Sequence, residues 1–163
     1  MNGDKYEIAT FGAGCFWHVE LAFSKLNGVI STRVGYIGGD DNKYGKPDYE
    51  MVCTDKTGHA EAVEVTYDSK KNSYKKILDV FWKNHNPTEL NRQGPDIGTQ
   101  YRSVIFFHNE EQRKEALKSL KEMQKKFGNR KIVTQIVKAS EFHLAEEYHQ
   151  KYLERRGMNY CHV

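Results

Sequence analysis

Residues 6–26, YEIATFGAGCFWHVELAFSKL, contain a change of apolar periodicity, and the fold prediction starts there. Tyr6–Phe11 is predicted to be a short strand, which ends at the small residues of positions 12–14. In Phe16–Leu26 the large apolar residues recur three or four positions apart, which is typical of a helix with one buried face. Gly28 ends that helix. The stretch therefore predicts a strand followed directly by a helix, with a glycine-rich turn between them.

The same two periodicities predict the rest of the chain. The first four strands and two long helices follow the order βαββαβ, which is the order of the ferredoxin-like split βαβ arrangement. We therefore expect an α+β fold with a ferredoxin-like core, additional C-terminal helices and a mobile tail at 157–163. Residues 85–100 lack apolar periodicity and are expected to form a long functional loop. The other predicted elements are strands Val29–Ile37, Ala60–Tyr67, Tyr101–Phe107 and Ile132–Val137, a helical turn at Tyr49–Thr54, and helices Ser73–Asn84, Glu110–Phe127 and Glu141–Arg156.

The length and composition indicate one domain spanning residues 1–163. A hydrophobic content of 38% and an aromatic content of 12% are too high for a disordered chain. A net charge of +3 is too small to indicate nucleic-acid binding. The sequence has no apolar segment long enough to span a membrane, and its first residues contain no apolar signal core. We therefore expect a cytoplasmic monomer that binds neither nucleic acid nor membranes.

The three cysteines are too widely spaced for a disulfide framework, and no C-x-x-C motif is present. Cys15 has a reactive context, because three small residues precede it and a helix is predicted to begin beside it. A helix N-terminus lowers the pKa of a thiol and favours the nucleophilic thiolate. The alternative is that Cys15 packs in the core with Phe16 and Trp17. Cys53 is expected to be a buried structural cysteine.

Glu61 is unusual because it shares a strand face with apolar residues. On the predicted strand Ala60–Tyr67, alternation places Glu61 on the face of Val63 and Val65, and it places Glu64 on the opposite face. The valine face is expected to be the core. A carboxyl group in an apolar site has a raised pKa and donates a proton near neutral pH. The alternative is that Glu61 lies at the strand edge in contact with solvent.

Three other polar residues lie in turns or next to the long loop. Tyr49 opens a helical turn, Asp96 lies within the loop, and Tyr101 begins the strand that follows it. Each also has an ordinary explanation, which is packing for the tyrosines and turn formation for the aspartate. The histidines and cysteines show no four-ligand zinc spacing, and no phosphate-binding loop is present. We expect no metal and no cofactor.

The segment Gly14-Cys15-Phe16-Trp17 resembles the A-type peptide methionine sulfoxide reductases. The likeness extends from Ile8 to Cys161, and its motifs are highly specific. Further blocks that are similar to the family, in its order, are GYIGG at 35–39, YEMVC at 49–53, GHAEAV at 58–63, NRQGPDIGTQYRS at 91–103 and AEEYHQKYL at 145–153.

The resemblance implies an enzyme that returns methionine S-sulfoxide, free or within oxidised proteins, to methionine. It implies that Cys15 attacks the sulfoxide sulfur and that Glu61 protonates the oxygen, which then leaves the substrate as a sulfenic acid on Cys15. The remaining implied roles are hydrogen bonds to the oxygen from Tyr49 and Tyr101, ordering of the site by Asp96, and an apolar seat for the substrate methyl group made by Phe16 and Trp17.

Cys161 matches the place of a resolving cysteine in the family's C-terminal tail. The resemblance implies that it forms a disulfide with Cys15, which thioredoxin or a glutaredoxin-type reductant then reduces. From Arg156 to Cys161 an extended chain spans roughly 17 Å, at about 3.3 Å per residue. The tail must therefore fold over the site to bring the two sulfurs together. Many relatives carry a second tail cysteine, which this sequence lacks.

Two other functions are compatible with parts of the sequence. A cysteine hydrolase or acyl transferase would pair Cys15 with His59 or His85, and it would place a histidine rather than a carboxyl group beside the thiol. A non-catalytic interaction domain would use the loop at 85–100 as its binding surface and would have no need of Cys15.

Overall fold

A computed structural model describes residues 6–157 and contains a mixed β-sheet covered by helices. The predicted α+β class is confirmed. The strands are β1 Tyr6–Ala13, β2 Val29–Ile37, β3 Ala60–Asp68, β4 Arg92–Gln93, β5 Asp96–Ile97, β6 Ser103–Phe107, β7 Gln135–Lys138 and β8 His143–Leu144. The α-helices are α1 Phe16–Ser24, α2 Asp41–Tyr44, α3 Tyr49–Cys53, α4 Tyr74–Lys83, α5 Glu110–Phe127 and α6 Tyr152–Arg155, and two short 3₁₀ helices cover Thr99–Tyr101 and Glu147–His149.

The large sheet has the strand order β7-β6-β1-β3-β2-β8. Its strands pair antiparallel except β6 and β7, which run parallel. Phe11 of β1 pairs with Val63, and Tyr36 of β2 pairs with Glu61. The ends of β1 and β2 therefore meet the beginning of β3 at one end of the sheet.

The two faces of β3 bury different sets of residues. Val63 and Val65 lie in the larger core, against Phe16 and other residues of the helices. Ala60 and Ala62 point to the opposite face and pack in a smaller apolar cluster. The predicted burial of Glu61 on the valine face is confirmed. The opposite face, which was expected to be solvated, is buried at Ala62 by the smaller cluster and only partly exposed at Glu64.

Polar caps define the beginning of the two longest helices. The Ser73 side chain accepts a hydrogen bond from the Lys76 amide at α4, and Asn109 accepts one from the Gln112 amide at α5. Such caps satisfy amides that have no partner within the helix. Both helices lie where the sequence predicts them. Among the described residues, no helix is long and apolar enough to cross a membrane.

The predicted helix Glu141–Arg156 is wrong. The segment instead contains β8, a 3₁₀ turn and the short helix α6. Its polar side chains bind distant partners: Gln150 accepts a hydrogen bond from the Val34 amide and donates one to the Val34 carbonyl. These contacts hold the backbone along β2 and override the local helical pattern.

The predicted loop at 85–100 and the strand after it need smaller corrections. The loop contains the two-stranded ribbon of β4 and β5, and it ends in a 3₁₀ turn. Tyr101 closes that turn and does not begin a strand, because β6 starts at Ser103. The predicted strand Ile132–Val137 is present as the edge strand β7, shifted to Gln135–Lys138.

Candidate active site

Cys15 lies between β1 and α1, where it is the N-cap residue of the helix. The preceding Gly14 has a φ of +95°, a conformation that side chains with a Cβ rarely adopt. A Cβ added to Gly14 would lie 2.8 Å from Cγ of Gln93. A glycine is therefore needed for the turn and for the close approach of the long loop. Cys15 itself is half-buried.

The predicted lowering of the Cys15 pKa is wrong. Burial and the negative charge of Glu61 raise the pKa of the thiol to about 12. The amides of Trp17 and His18 bind the sulfur and act in the opposite direction. The helix N-terminus therefore has the effect that the sequence predicts, but the loss of hydration at the thiol is larger.

Glu61 is buried, with 2% of its surface exposed. Its Oε1 accepts a hydrogen bond of 3.3 Å from the Phe16 amide, in the first turn of α1 directly after Cys15. Burial raises the pKa of Glu61 to about 8, with a further contribution from Asp96. The carboxyl group is therefore neutral at pH 7, and it lies beside the helix turn that carries the thiol.

Asp96 and Tyr101 face the same pair of groups. Burial raises the pKa of the Tyr101 hydroxyl, and the charges of Glu61, Asp96 and Cys15 raise it further. Asp96 also raises the pKa of Glu61 and of Cys15. The ribbon of β4 and β5 and the turn after it therefore bring both side chains to the site, although Tyr101 does not begin a strand.

Tyr49, the first residue of α3, also lies near Glu61 and Tyr101. Burial raises the pKa of its hydroxyl, as do a hydrogen bond with Cys53 and the nearby Glu61 and Tyr101. Cys53 itself is exposed, so the prediction of a buried structural cysteine is wrong. It is the last residue of a single helical turn, in which Val52 is the buried residue.

Phe16 and Trp17, the two residues after Cys15, pack in an aromatic cluster. Phe16 is almost fully buried and packs against Tyr36 and His149, with ring centroids 5.7 and 5.1 Å apart. Trp17 is half-buried, and its Nε1–H donates a hydrogen bond of 3.0 Å to Nδ1 of His149. Its indole ring stacks on Tyr152 at 3.8 Å. Both rings are therefore fixed, and Trp17 keeps some surface in contact with solvent.

Glu146 is a residue of the site that the sequence analysis missed. Its carboxylate accepts hydrogen bonds from the Tyr36 hydroxyl at 2.8 Å and from the Tyr49 amide at 2.9 Å. Burial alone would raise the pKa of Glu146, but these hydrogen bonds have the larger effect, so its pKa lies below the ordinary value. The feature of the sequence that could have identified Glu146 is its position in the family-like block at 145–153. No periodicity distinguishes it from its exposed neighbour Glu147.

The histidines considered for a cysteine hydrolase bind other groups. Nε2 of His59 lies 2.7 Å from Oδ1 of Asp41. His85 contacts the Phe81 carbonyl and the Ser103 hydroxyl, each at 2.7 Å. Burial lowers the pKa of His85 to about 4. The titratable group with the largest effect on the thiol is a carboxyl group, which disfavours a cysteine–histidine pair.

Cys161, the sixth residue predicted to take part in catalysis, lies outside the described residues, as does the predicted mobile tail beyond Gly157. Cys15, Glu61, Asp96, Tyr49 and Tyr101 are brought together at one end of the sheet, with Phe16 and Trp17 alongside. A half-buried thiol, a neutral carboxyl group and two phenols can supply a nucleophile and proton donors to one bound polar group.

Comparison with known proteins gives concordant matches. A family model described as "Peptide methionine sulfoxide reductase" matches residues 7–163. Peptide methionine sulfoxide reductase MsrA of Methanosarcina acetivorans is 59% identical over 95% of this chain and 81% of the relative. MsrA of Methanothermobacter thermautotrophicus is 56% identical over 98% of this chain and 93% of the relative.

Two solved structures extend the comparison. Reduced Mxr1 from Saccharomyces cerevisiae superposes with a TM-score of 0.89 at 39% identity, covering 96% of this chain and 89% of that chain. Mxr1 in complex with Trx2 superposes with a TM-score of 0.63 at 27% identity, covering 91% of this chain and 85% of that chain.

Proposed function

The chain belongs to the peptide methionine sulfoxide reductase family, and from that premise we propose how its residues reduce methionine sulfoxide to methionine. The substrate is methionine S-sulfoxide, free or within proteins. The observation that supports the proposal most strongly is the buried Glu61 carboxyl group, which accepts a hydrogen bond from the Phe16 amide directly after the half-buried Cys15. Burial raises the pKa of this carboxyl group to about 8, which favours its protonated form at pH 7. A sulfoxide oxygen is a poor leaving group until it is protonated, so the nucleophile needs an acid beside it.

In the first step Cys15 Sγ attacks the sulfoxide sulfur while Glu61 gives its proton to the oxygen. The proton of the Cys15 thiol replaces the one that Glu61 gives up. The oxygen then bonds to Cys15 Sγ while its bond to the substrate sulfur and the new bond between the two sulfurs both break, so the products are methionine and a sulfenic acid. No external proton is consumed, because the proton from Glu61 stays on the transferred oxygen and the thiol proton restores Glu61. The raised pKa of both groups is compatible with this transfer, since both carry their protons when substrate arrives.

The neighbouring side chains bind the substrate. The hydroxyls of Tyr49 and Tyr101 donate hydrogen bonds to the oxygen as negative charge develops on it. Phe16 and Trp17 seat the methyl group, and Asp96 orders the site and holds the rest of the substrate. Two aromatic rings around a methyl group select the substrate by shape, and each extra methylene costs about 1–3 kcal/mol.

A second thiol completes the cycle. Cys161 attacks the sulfenic sulfur of Cys15, which forms a disulfide and releases water. Two electrons from an external dithiol then restore both thiols. The complex of the related Mxr1 with Trx2 supports thioredoxin as this reductant, and a glutaredoxin-type protein is the other candidate.

We also propose a fold type, a domain organisation and an oligomeric state for the chain. The strand order β6-β1-β3-β2, with α1 and α4 as crossovers, supports a ferredoxin-like split βαβ core within a single catalytic domain at 1–163. We propose that the protein acts as a cytoplasmic monomer. Sedimentation at working concentration tests the oligomeric state.

The test of the proposed function is a count of methionine formed per enzyme molecule without reductant. Each methionine sulfoxide epimer is supplied separately to the reduced protein. We expect consumption of the S epimer alone, which leaves Cys15 as a sulfenic acid or, once Cys161 has attacked it, in a disulfide with Cys161. Absence of methionine from the S epimer, or ester hydrolysis without reductant, would contradict the proposal.

A further inference from the structure

Asp41, His59 and His143 form a cluster of possible metal ligands outside the catalytic residues. Asp41 is the first residue of α2, His59 directly precedes β3, and His143 begins β8. Oδ1 of Asp41 lies 2.7 Å from Nε2 of His59 and 2.8 Å from Nε2 of His143. The three ligand atoms all lie within 4.8 Å of one another. Three segments that are distant in sequence therefore converge on one point.

The surroundings of the cluster combine buried imidazoles with a solvent-facing carboxylate. The side chains of His59 and His143 are 0% and 6% exposed, whereas that of Asp41 is 31% exposed. The exposed side of the Asp41 carboxylate leaves a route for an ion from solvent.

We propose that Asp41, His59 and His143 bind one divalent first-row transition ion, with zinc as the expected occupant. Two imidazole nitrogens and one carboxylate oxygen are ligands of this class, whereas calcium and magnesium prefer oxygen alone. Three protein ligands leave a fourth position for water on the exposed side of Asp41. The site is separate from the sulfur chemistry and needs no thiol.

Small movements are enough to admit the ion. Zinc lies about 2.0–2.2 Å from nitrogen and oxygen ligands, so neighbouring ligand atoms in a tetrahedral site are about 3.3 Å apart. The two contacts to Asp41 must therefore open by about 0.5 Å, which rotation of the partly exposed carboxylate allows. The two imidazole nitrogens, which lie within 4.8 Å of each other, must reach the same spacing. Each imidazole then carries its proton on Nδ1 instead of Nε2. Nδ1 of His143 lies 3.9 Å from a carboxylate oxygen of Glu141, so a shift of the exposed Glu141 side chain would bring an acceptor to it. The buried Nδ1 of His59 has no hydrogen-bond partner among the described residues.

The bound ion would cross-link segments that also build the catalytic site. Glu61 follows His59 by two residues in β3, and Glu146 follows His143 by three. The inferred role is structural, because none of the three ligands contacts Cys15 among the described residues. An ion that binds only the folded state raises its stability by mass action.

The experiment uses the full chain with Cys15, Cys53 and Cys161 replaced by serine, so that no thiol competes for the metal. Zinc is titrated by calorimetry, and nitrogen NMR of the imidazoles identifies the ligating rings. We expect one zinc ion per chain, with Nε2 shifts at His59 and His143 and a higher melting temperature.

Two variants of adjacent carboxylates separate ligation from structural support. Asp41→Asn keeps an oxygen that accepts from both imidazoles, so the fold is retained, but it removes the anionic ligand. We expect zinc to bind this variant roughly tenfold or more weakly. Asp40→Asn is the control, because Asp40 only caps α2 and asparagine caps equally well.

Each alternative result overturns the proposal. No saturable zinc binding would do so, as would NMR shifts confined to histidines other than His59 and His143. Equal affinity of Asp41→Asn and Asp40→Asn would show that Asp41 is not a ligand. Circular dichroism of both variants verifies that the comparison is made on folded protein.

Discussion

The catalytic site joins two regions that are organised differently. The N-terminal region, from β1 through α1 to β3, follows local patterns: a glycine turn places Cys15, and strand alternation places Glu61. The C-terminal segment 143–155 follows its side-chain partners instead, and Glu146 within it binds Tyr36 and Tyr49. In the proposed mechanism the first region supplies the reacting groups, and the second region holds their neighbours in position. Changes in the two regions should therefore differ in size and in kind.

The largest expected effect is the loss of the nucleophile in the N-terminal region. Cys15→Ser should reduce methionine formation to background, because a hydroxyl does not replace the sulfur that accepts the oxygen. The measurement is methionine released per enzyme without reductant. Cys53→Ser is the matched control, and it should release methionine as the unmodified chain does. Loss of activity in both variants would contradict the assignment of Cys15 rather than Cys53 as the nucleophile.

The next effect is the loss of the proton donor. Glu61→Gln should fold normally and slow single-turnover reduction by roughly 10²–10⁴-fold, the usual contribution of a general acid. Glu64→Gln is the control on the same strand, since Glu64 faces away from the site and pairs with Arg33. Stopped-flow measurement of both variants tests this difference. Similar rates for the two would show that the buried face of β3 takes no part in proton transfer.

A pH profile tests the same acid without mutation. Burial raises the pKa of Glu61 to about 8, so its neutral form is present below that pH and is lost above it. The single-turnover rate should fall about tenfold per pH unit above pH 8, as expected for the loss of one proton. Glu61→Gln should lack this decrease. A wild-type rate that rises steadily through pH 8 would instead indicate that ionisation of the thiol is limiting.

The smallest expected effect belongs to the C-terminal segment. Glu146→Gln removes the negative charge that strengthens the bonds from Tyr36 and Tyr49, each of which is worth about 1.5–3 kcal/mol. The glutamine oxygen can still accept one hydrogen bond, and its NH₂ group can donate one. We expect a roughly tenfold lower single-turnover rate with an unchanged pH profile, because Glu146 positions Tyr49 and donates no proton. The control is the exposed neighbour, Glu147→Gln. A shifted pH profile in Glu146→Gln would mean that Glu146 acts on the acid directly.

The difference between the two regions also explains what the sequence predicts well. Alternation along β3 identifies the burial of Glu61, and the small residues before Cys15 identify the turn. Both depend on neighbours in sequence. The same local reasoning fails for the pKa of Cys15, because burial of the thiol in the folded chain opposes the helix N-terminus and is the larger effect.

Features that depend on distant partners are the ones that local patterns miss. The helical spacing after Glu141 is real, but hydrogen bonds between Gln150 and Val34 hold that segment along β2. Cys53 was expected to be buried because cysteines commonly are, yet it lies at the exposed end of a single turn. The cluster of Asp41, His59 and His143 has no regular spacing, so only the folded chain brings it together.

The most direct test of a neutral acid beside the nucleophile is the protonation state of Glu61 itself. Infrared difference spectra between the wild type and Glu61→Gln isolate the carboxyl band of this one residue. We expect a protonated carboxyl band at pH 7 that disappears near pH 8. A carboxylate band at pH 7, with titration near the ordinary glutamate pKa of about 4.3, would contradict the central claim.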